Sequence, residues 1–441
     1  MYTKLKGIAK AAKERPKEEF TSLAHLINKQ MLEICHGEMD RHKAAGNDKV
    51  TKEQYDEALE DNLEKLILRM KQQAYKPQPV RRSYIEKAGT SKKRPLGIPA
   101  YEDKLVQSAV SKILNAIYEQ EFLDCSYGFR PNRGCHDAIA ALDKILERRP
   151  INFIVDADIR GFFDNVDQQW MMKFIRHRIK DTNFTRLISR FLKAGVMEAG
   201  IYYDTPQGTP QGGVISPILG NIYLHYVIDL WFEKKVRNQC SGSAYMVRYA
   251  DDSVFCFEHK EEAEQFYQKL VKRLEEFKLE IAEEKTKIIA FGKKAGRDKG
   301  DNNGKSGTFD FLGFTHYYGK GRNGIKRVMR KTSKKKLKES MARFTEWVKQ
   351  NMHEKLTLLI KKLNLRLTGH YRYYGISDNI TCLRKMRRTM KRVLFRCLNR
   401  RSQCKSYNLR EYNNYLQHHP IAAPKVYVNI FKLRTDIGYI V

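Results

Sequence analysis

The stretch Tyr245-Met246-Val247-Arg248-Tyr249-Ala250-Asp251-Asp252-Ser253-Val254-Phe255-Cys256-Phe257 constrains the fold more than any other part of the chain. Its β-branched and aromatic residues favour extended backbone, and two acids interrupt the apolar run near its middle. The pattern predicts two short strands with Asp251 and Asp252 at the hairpin tip. Carboxylates that close repel, and each raises the other's pKa. A buried pair needs a cation, and Mg2+ is the hard, oxygen-seeking ion that suits such a site.

Those acids sit in a strongly basic chain. Lysine and arginine number 83 against 51 acids, a formal net charge of +32 over 441 residues. Such an excess points to a polyanion, and nucleic acid is the commonest. A hydrophobic share of 41% can supply the cores of two or three domains. There is no 18-residue apolar run and no signal-peptide core near Met1, so we expect no membrane partner and a cytoplasmic location. Eight cysteines are scattered without a Cys-x-x-Cys pair, which argues against a zinc ribbon or a disulfide scaffold. The sequence does not set an oligomeric state.

Strand and helix patterns alternate without βαβ regularity, so the class is α+β. Residues 1–75 read as a helical N-terminal extension, with Glu53 to Gln73 carrying leucines at helical spacing. Pro77 and Pro79 break it. A hairpin is expected around Ala88-Gly89-Thr90, helices over Asp103 to Phe122, Gln168 to Lys180, Phe184 to Ala194, Ser216 to Lys235 and Glu261 to Lys278, and strands over Ile151 to Asp156 and Phe309 to Phe314. Lys293 to Gly307 reads as a linker. From Lys326 to Lys405, 25 lysines and arginines stand against four acids, with leucines interleaved. That one-sidedness favours a folded, phosphate-tracking helical region over an ordinary solvated face.

Three companions accompany the acid pair. In Ile154-Val155-Asp156-Ala157-Asp158-Ile159-Arg160-Gly161-Phe162-Phe163-Asp164, strand alternation puts Asp156 and Asp158 on one face, and either can meet the hairpin tip. Three converging carboxylates would hold two Mg2+ ions. Asp164 and Asp167 read as helix caps. Thr205-Pro206-Gln207-Gly208-Thr209-Pro210-Gln211-Gly212-Gly213 is a Gly-rich bend before a helix starting near Ser216, where backbone can approach a nucleotide. Arg81, Arg82, Lys87 and Lys92-Lys93-Arg94 put cations on a ribbon that can clamp a triphosphate.

Taken together, these motifs resemble reverse transcriptases, and the group II intron-encoded ones most closely. Tyr249 to Asp252 is similar to their metal-binding motif, and Ser126-Tyr127-Gly128-Phe129-Arg130-Pro131-Asn132-Arg133 to their fingers signature. The resemblance implies a right-hand polymerase, with fingers and palm over residues 76–315 and a helical thumb or maturase domain over 320–400. It implies Asp158, not Asp156, as the first metal ligand beside Asp251 and Asp252, and two Mg2+ ions. It implies Arg81, Lys87, Arg94, Phe163, Gln211 and Lys285 as nucleotide contacts, with Phe163 screening the sugar. It also implies Phe311, Leu312 and Gly313 as a primer grip. On the basic helices, Arg372, Arg384, Arg387, Arg388 and Lys391 are the candidate RNA contacts. The implied partners are an RNA template with a DNA or RNA primer, deoxynucleoside triphosphates and intron RNA, in a bacterial cell. No Cys/His-rich endonuclease pattern follows residue 400, and residues 401–441 leave room for at most a short DNA-binding segment. Glu86 replaces the family's usual proline before Lys87. Two other readings stay open: a CRISPR-associated or phage-defence reverse transcriptase without an intron, and a polymerase-inactive RNA-binding splicing cofactor.

Overall fold

The computed structural model describes residues 1–86, 93–205, 207–208, 212–292, 306–321, 324–401 and 406–433. Eleven strands lie among them: β1 (Val80–Glu86), β2 (Lys93–Ile98), β3 (Phe153–Ala157), β4 (Val196–Glu198), β5 (Ile201–Tyr203), β6 (Ala244–Tyr249), β7 (Asp252–Phe257), β8 (Lys287–Ala290), β9 (Phe309–Phe311), β10 (Phe314–Lys320) and β11 (Lys326–Thr332). They form three sheets, ordered β2-β1-β4-β5, β6-β7-β3-β8 and β11-β10-β9.

The β6-β7-β3-β8 sheet is antiparallel throughout. Its central strands are apolar on both faces because both faces are covered. Val155, Phe255, Phe257 and Met246 join the main core, which also takes Leu105, Val110 and Ile113 of the helix Tyr101–Tyr118 and Leu219 and Ile222 of the helix Ser216–Leu224. Ile154, Val254, Cys256 and Val247 face a second core, built with Leu142 and Ile145 of the helix Cys135–Arg148 and with Phe309 and Phe311 of β9. The N-terminal helices are no appendage, since Ala12, Met31, Leu32, Leu63 and Leu66 share the main core.

Most expected elements are present within a few residues of their expected ends. The expected helix over Glu53 to Gln73 is two, Lys52–Asp56 and Leu59–Lys71. The expected helix over Ser216 to Lys235 stays α-helical only to Leu224 and then passes through two π-helical turns, His225–Asp229 and Phe232–Val236. The strand expected at Phe309 to Phe314 is a tight hairpin instead, with Leu312 and Gly313 both at positive φ (49° and 80°) between paired Phe311 and Phe314. That is the geometry of a type I′ turn, and a leucine there is strained. The Ala88-Gly89-Thr90 tip lies outside the described residues, as does the expected linker up to Lys305.

C-terminal to β11, the helices Lys334–Gln350, Leu356–Tyr374 and Ile380–Leu398 pack around Phe344, Leu363, Leu367, Leu383, Met390 and Leu394. On the 380–398 helix the buried residues Leu383, Met386, Met390, Leu394 and Cys397 recur every three or four positions, and each buried Leu contributes roughly 1.5–3 kcal/mol. The expected boundary at residue 401 is not a structural one. The helix Leu409–His418 buries Tyr412 and Leu416 in the same core, and Ile421 follows them. The chain then returns to the base of this helical region. Val428 bridges Ile376, and Ile430 packs with Ile139 of the 135–148 helix and with Phe314. Residues 406–433 are therefore integral to the helical region.

Candidate active site

The acid hairpin forms as the sequence implies. β6 and β7 pair in register from Ala244 with Phe257 to Tyr249 with Asp252, which leaves a two-residue turn, Ala250-Asp251. Ala250 is left-handed (φ 56°). β3 pairs with β7 from Phe153 with Phe257 to Ala157 with Ser253, and the same register carried one step further sets Asp158 opposite Asp252. Asp158 is also tied to the segment leading into β8, because its carbonyl accepts from Ala282 N at 2.8 Å. The sheet thus brings together acids that lie almost a hundred positions apart in the chain.

The electrostatics follow from that crowding. The Asp252 carboxyl is pushed up to about 6, first by loss of surrounding water and then by Asp251 and Asp158, while Lys285 and Lys336 pull it down. Asp156 is pushed up to about 7, first by burial and then by Asp252, Asp310 and Asp158. Asp156 therefore belongs to the same acidic field, although it sits one strand repeat deeper than Asp158. The Lys285 ammonium is hydrogen-bonded to Asp158 Oδ2.

In kind, this donor set fits a hard divalent cation. Its ligands are oxygens only, and their mutual repulsion is what a cation relieves. In distance the set is open. Among the described residues, no three His, Cys, Asp or Glu side chains stand close enough to hold one ion.

The other expected contacts fall into three groups. Phe163 lies in the one-turn helix Phe162–Asn165, directly after Asp158 and beside Gly220. The Gln-Gly bend runs alongside it: Gly208 N donates to Val166 O at 2.7 Å, and Gly212 lies so close to Leu96 and Gly97 of β2 that a side chain would not fit. Lys87 and Gln211 lie outside the described residues. Arg94 is on β2 opposite Ile85. The Arg81 guanidinium is turned onto Ala45 O, at 3.1 Å from Nε and 2.8 Å from Nη2, and so braces the N-terminal segment here. Phe311, Leu312 and Gly313 form the strained turn described above, and Leu312 O accepts from Tyr373 Oη at 2.9 Å.

The thumb residues divide. Arg384 and Arg388 are exposed and line a groove of about 440 Å3 with Lys385, Arg392, Thr381 and Thr389. Arg372 is exposed on a groove of about 630 Å3 between the 356–374 helix and His418-His419-Pro420. Arg387 is half-buried, donates Nε and Nη2 to Ile421 O at 3.2 and 3.1 Å and fastens the C-terminal segment. Lys391 is half-buried too, and burial followed by the neighbouring Arg387 lowers its pKa.

The sequence reading missed Arg248 and Asp229. Both are fully buried, and they pair beneath the acid hairpin. The available signal was alternation: Arg248 shares its strand face with Ala244 and Met246, where no solvent is available.

Residues 85–316 match the reverse transcriptase (RNA-dependent DNA polymerase) family. The chain belongs to that family. A group II intron-encoded protein of Lactococcus lactis subsp. cremoris, LtrA, is 40% identical over 234 residues, 53% of this reverse transcriptase chain and 39% of LtrA. Protein YkfC of Escherichia coli is 40% identical over 171 residues, 37% of this chain and 44% of YkfC. A 91 kDa protein in the cob intron of Schizosaccharomyces pombe is 34% identical over 200 residues, 45% of this chain and 24% of that protein. The resemblance to group II intron-encoded reverse transcriptases is borne out. The matched segment spans less than half the length of each of these relatives. No helix among the described residues is long and apolar enough to cross a membrane.

Proposed function

We propose that the chain is an RNA-directed DNA polymerase of the group II intron type, joining deoxynucleotides to a primer on an RNA template. The observation that carries this reading is the register that sets Asp158 opposite Asp252, beside Asp251, inside a chain of formal charge +32. Asp158, Asp251 and Asp252 would hold Mg2+. When bound, Mg2+ supplies charge neutralisation and a lowered pKa for the attacking hydroxyl.

The chain's own residues do the rest. Phe163, Gly208 and Gly212 border the space in which sugar and base are placed, and Phe163 screens the sugar 2′ position. Arg81, Lys87 and Arg94 hold the triphosphate on the fingers ribbon, for which Arg81 must leave Ala45 O. Lys285, now on Asp158, would be free to meet a phosphate once a bound cation took over that carboxylate. The rigid Leu312-Gly313 turn seats the primer end. The exposed cations Arg372, Arg384 and Arg388 track the phosphates of template–primer or of intron RNA. Structured RNA is read largely through its backbone, and binding to it would assist splicing.

The test is extension of a DNA primer on an RNA template with Mg2+ and deoxynucleoside triphosphates. Extension that stops when EDTA is added supports the reading. A purified, folded chain that binds the template–primer yet never extends it would leave an RNA-binding splicing cofactor in its place.

A further inference from the structure

Arg248 precedes the acid pair by three residues, yet none of its side chain reaches solvent. A buried charge costs several kcal/mol unless it is paired and hydrogen-bonded. Here all five N–H donors find acceptors. Nε and Nη2 fork onto Asp229 Oδ1 and Oδ2 at 2.7 and 2.5 Å, and Nη2 also reaches Ser126 Oγ at 2.8 Å. Nη1 donates to Asn221 Oδ1 at 3.1 Å and to Ala250 O at 2.9 Å.

The contact with Ala250 gives the network its consequence. Ala250 is the left-handed residue of the turn, a conformation in which an alanine's Cβ crowds the following carbonyl oxygen. Something outside the turn has to impose that shape. Two groups do so. Arg248 pulls the Ala250 carbonyl inward from below. Gly128 lies flush beneath the turn, where any Cβ would collide with Ala250 N, and its carbonyl is held by Asn221 Nδ2 at 2.7 Å. The anchor is Asp229, at the end of the π-helical turn His225–Asp229; such widened turns recur at functional sites.

We propose that Arg248 is the positioning residue of the acid pair: through the Ala250 carbonyl it fixes the left-handed turn that presents Asp251 and Asp252 to Asp158. The inference rests on the polymerase reading above. Arg248 touches no substrate, and its effect passes through the turn. Lysine keeps the charge but cannot reach Asp229 and Ala250 O together.

The test is Arg248→Lys, with Mn2+ binding followed by electron paramagnetic resonance without nucleic acid, beside primer-extension kinetics. Misplacing reacting groups costs roughly tenfold to a hundredfold, so Arg248→Lys should lower kcat by about that much, leave the nucleotide KM within about twofold and weaken Mn2+ binding. Adding Ala250→Gly removes the penalty on the left-handed residue, so the double variant should recover part of both losses. A core ion pair without a positioning role would show no such recovery, and its absence overturns the proposal. If Arg248→Lys does not fold, Arg248→Met with Asp229→Leu replaces the pair by apolar groups. A folded protein with wild-type Mn2+ affinity overturns the proposal, and one with weakened affinity supports it. A wild-type chain whose Mn2+ binding does not depend on Asp252 brings down the polymerase reading, and this inference with it.

Discussion

The palm and the thumb use charge in opposite ways. In the palm, the important charges are few and paired one to one: Arg248 lies on Asp229 with every donor satisfied, and Lys285 lies on Asp158. In the thumb, Lys326 to Lys405 carries 25 cations against four acids, and Arg384, Lys385, Arg388 and Arg392 line one open face. Palm charge specifies geometry, so one substitution should be severe. Thumb charge makes a field, so one substitution should be mild and its effect should depend on salt.

The largest expected effect is in the palm. Asp252→Asn should lower Mg2+-dependent extension about a thousandfold or more, as loss of several kcal/mol of charge stabilisation implies. Extension near the wild-type rate would erase the contrast at its root. Next comes Tyr412→Ala, a thumb change that acts through packing. The ring is buried and its Oη donates to Lys391 O at 2.8 Å, so denaturant midpoints should report about 3 kcal/mol of lost stability. A neutral result would detach residues 406–433 from the thumb core.

A smaller effect concerns pH. The folded Asp252 value of about 6 lies above the ordinary carboxyl value of ~3.9. This group's stabilising contribution is therefore complete below about pH 4 and is lost as pH rises through about 6. A cation offsets that loss. Mg2+ should raise Tm measurably at about pH 7 and hardly at about pH 5, and Asp252→Asn should flatten the difference. An equal response at both values would place the ion elsewhere. The mildest change is Arg384→Ala or Arg388→Ala, each expected to weaken RNA binding a few-fold and to reduce the slope of log affinity against log salt by about 0.7–0.9. A single one of them that abolished binding would mean that the thumb, too, works by geometry.

The acid hairpin, the strand into Asp158 and the α+β class were legible because each is written in local pattern. Apolar runs broken by acids give both the strands and the tip. What escaped was long-range pairing. Arg248 drew no reading because its side-chain acceptors lie at Asp229, Asn221 and Ser126, none of them near it in sequence. Arg387 looked like part of a basic face because nothing local shows that Ile421 O arrives beside it. Arg81 likewise found its partner at Ala45. Residues 401–441 read as a short segment set apart after the basic helices, yet Tyr412, Leu416, Ile421 and Ile430 anchor the described part of them in the neighbouring cores.

The central position of β3 also sets an order of events for the newborn chain. Both of its neighbours, β7 and β8, are encoded roughly a hundred or more residues later. As the chain leaves the ribosome, Ile154 and Val155 wait with both edges of their strand bare, and such non-local pairing is slow and prone to clumping. The sheet that carries Asp158 therefore cannot close until β7 and β8 have both emerged.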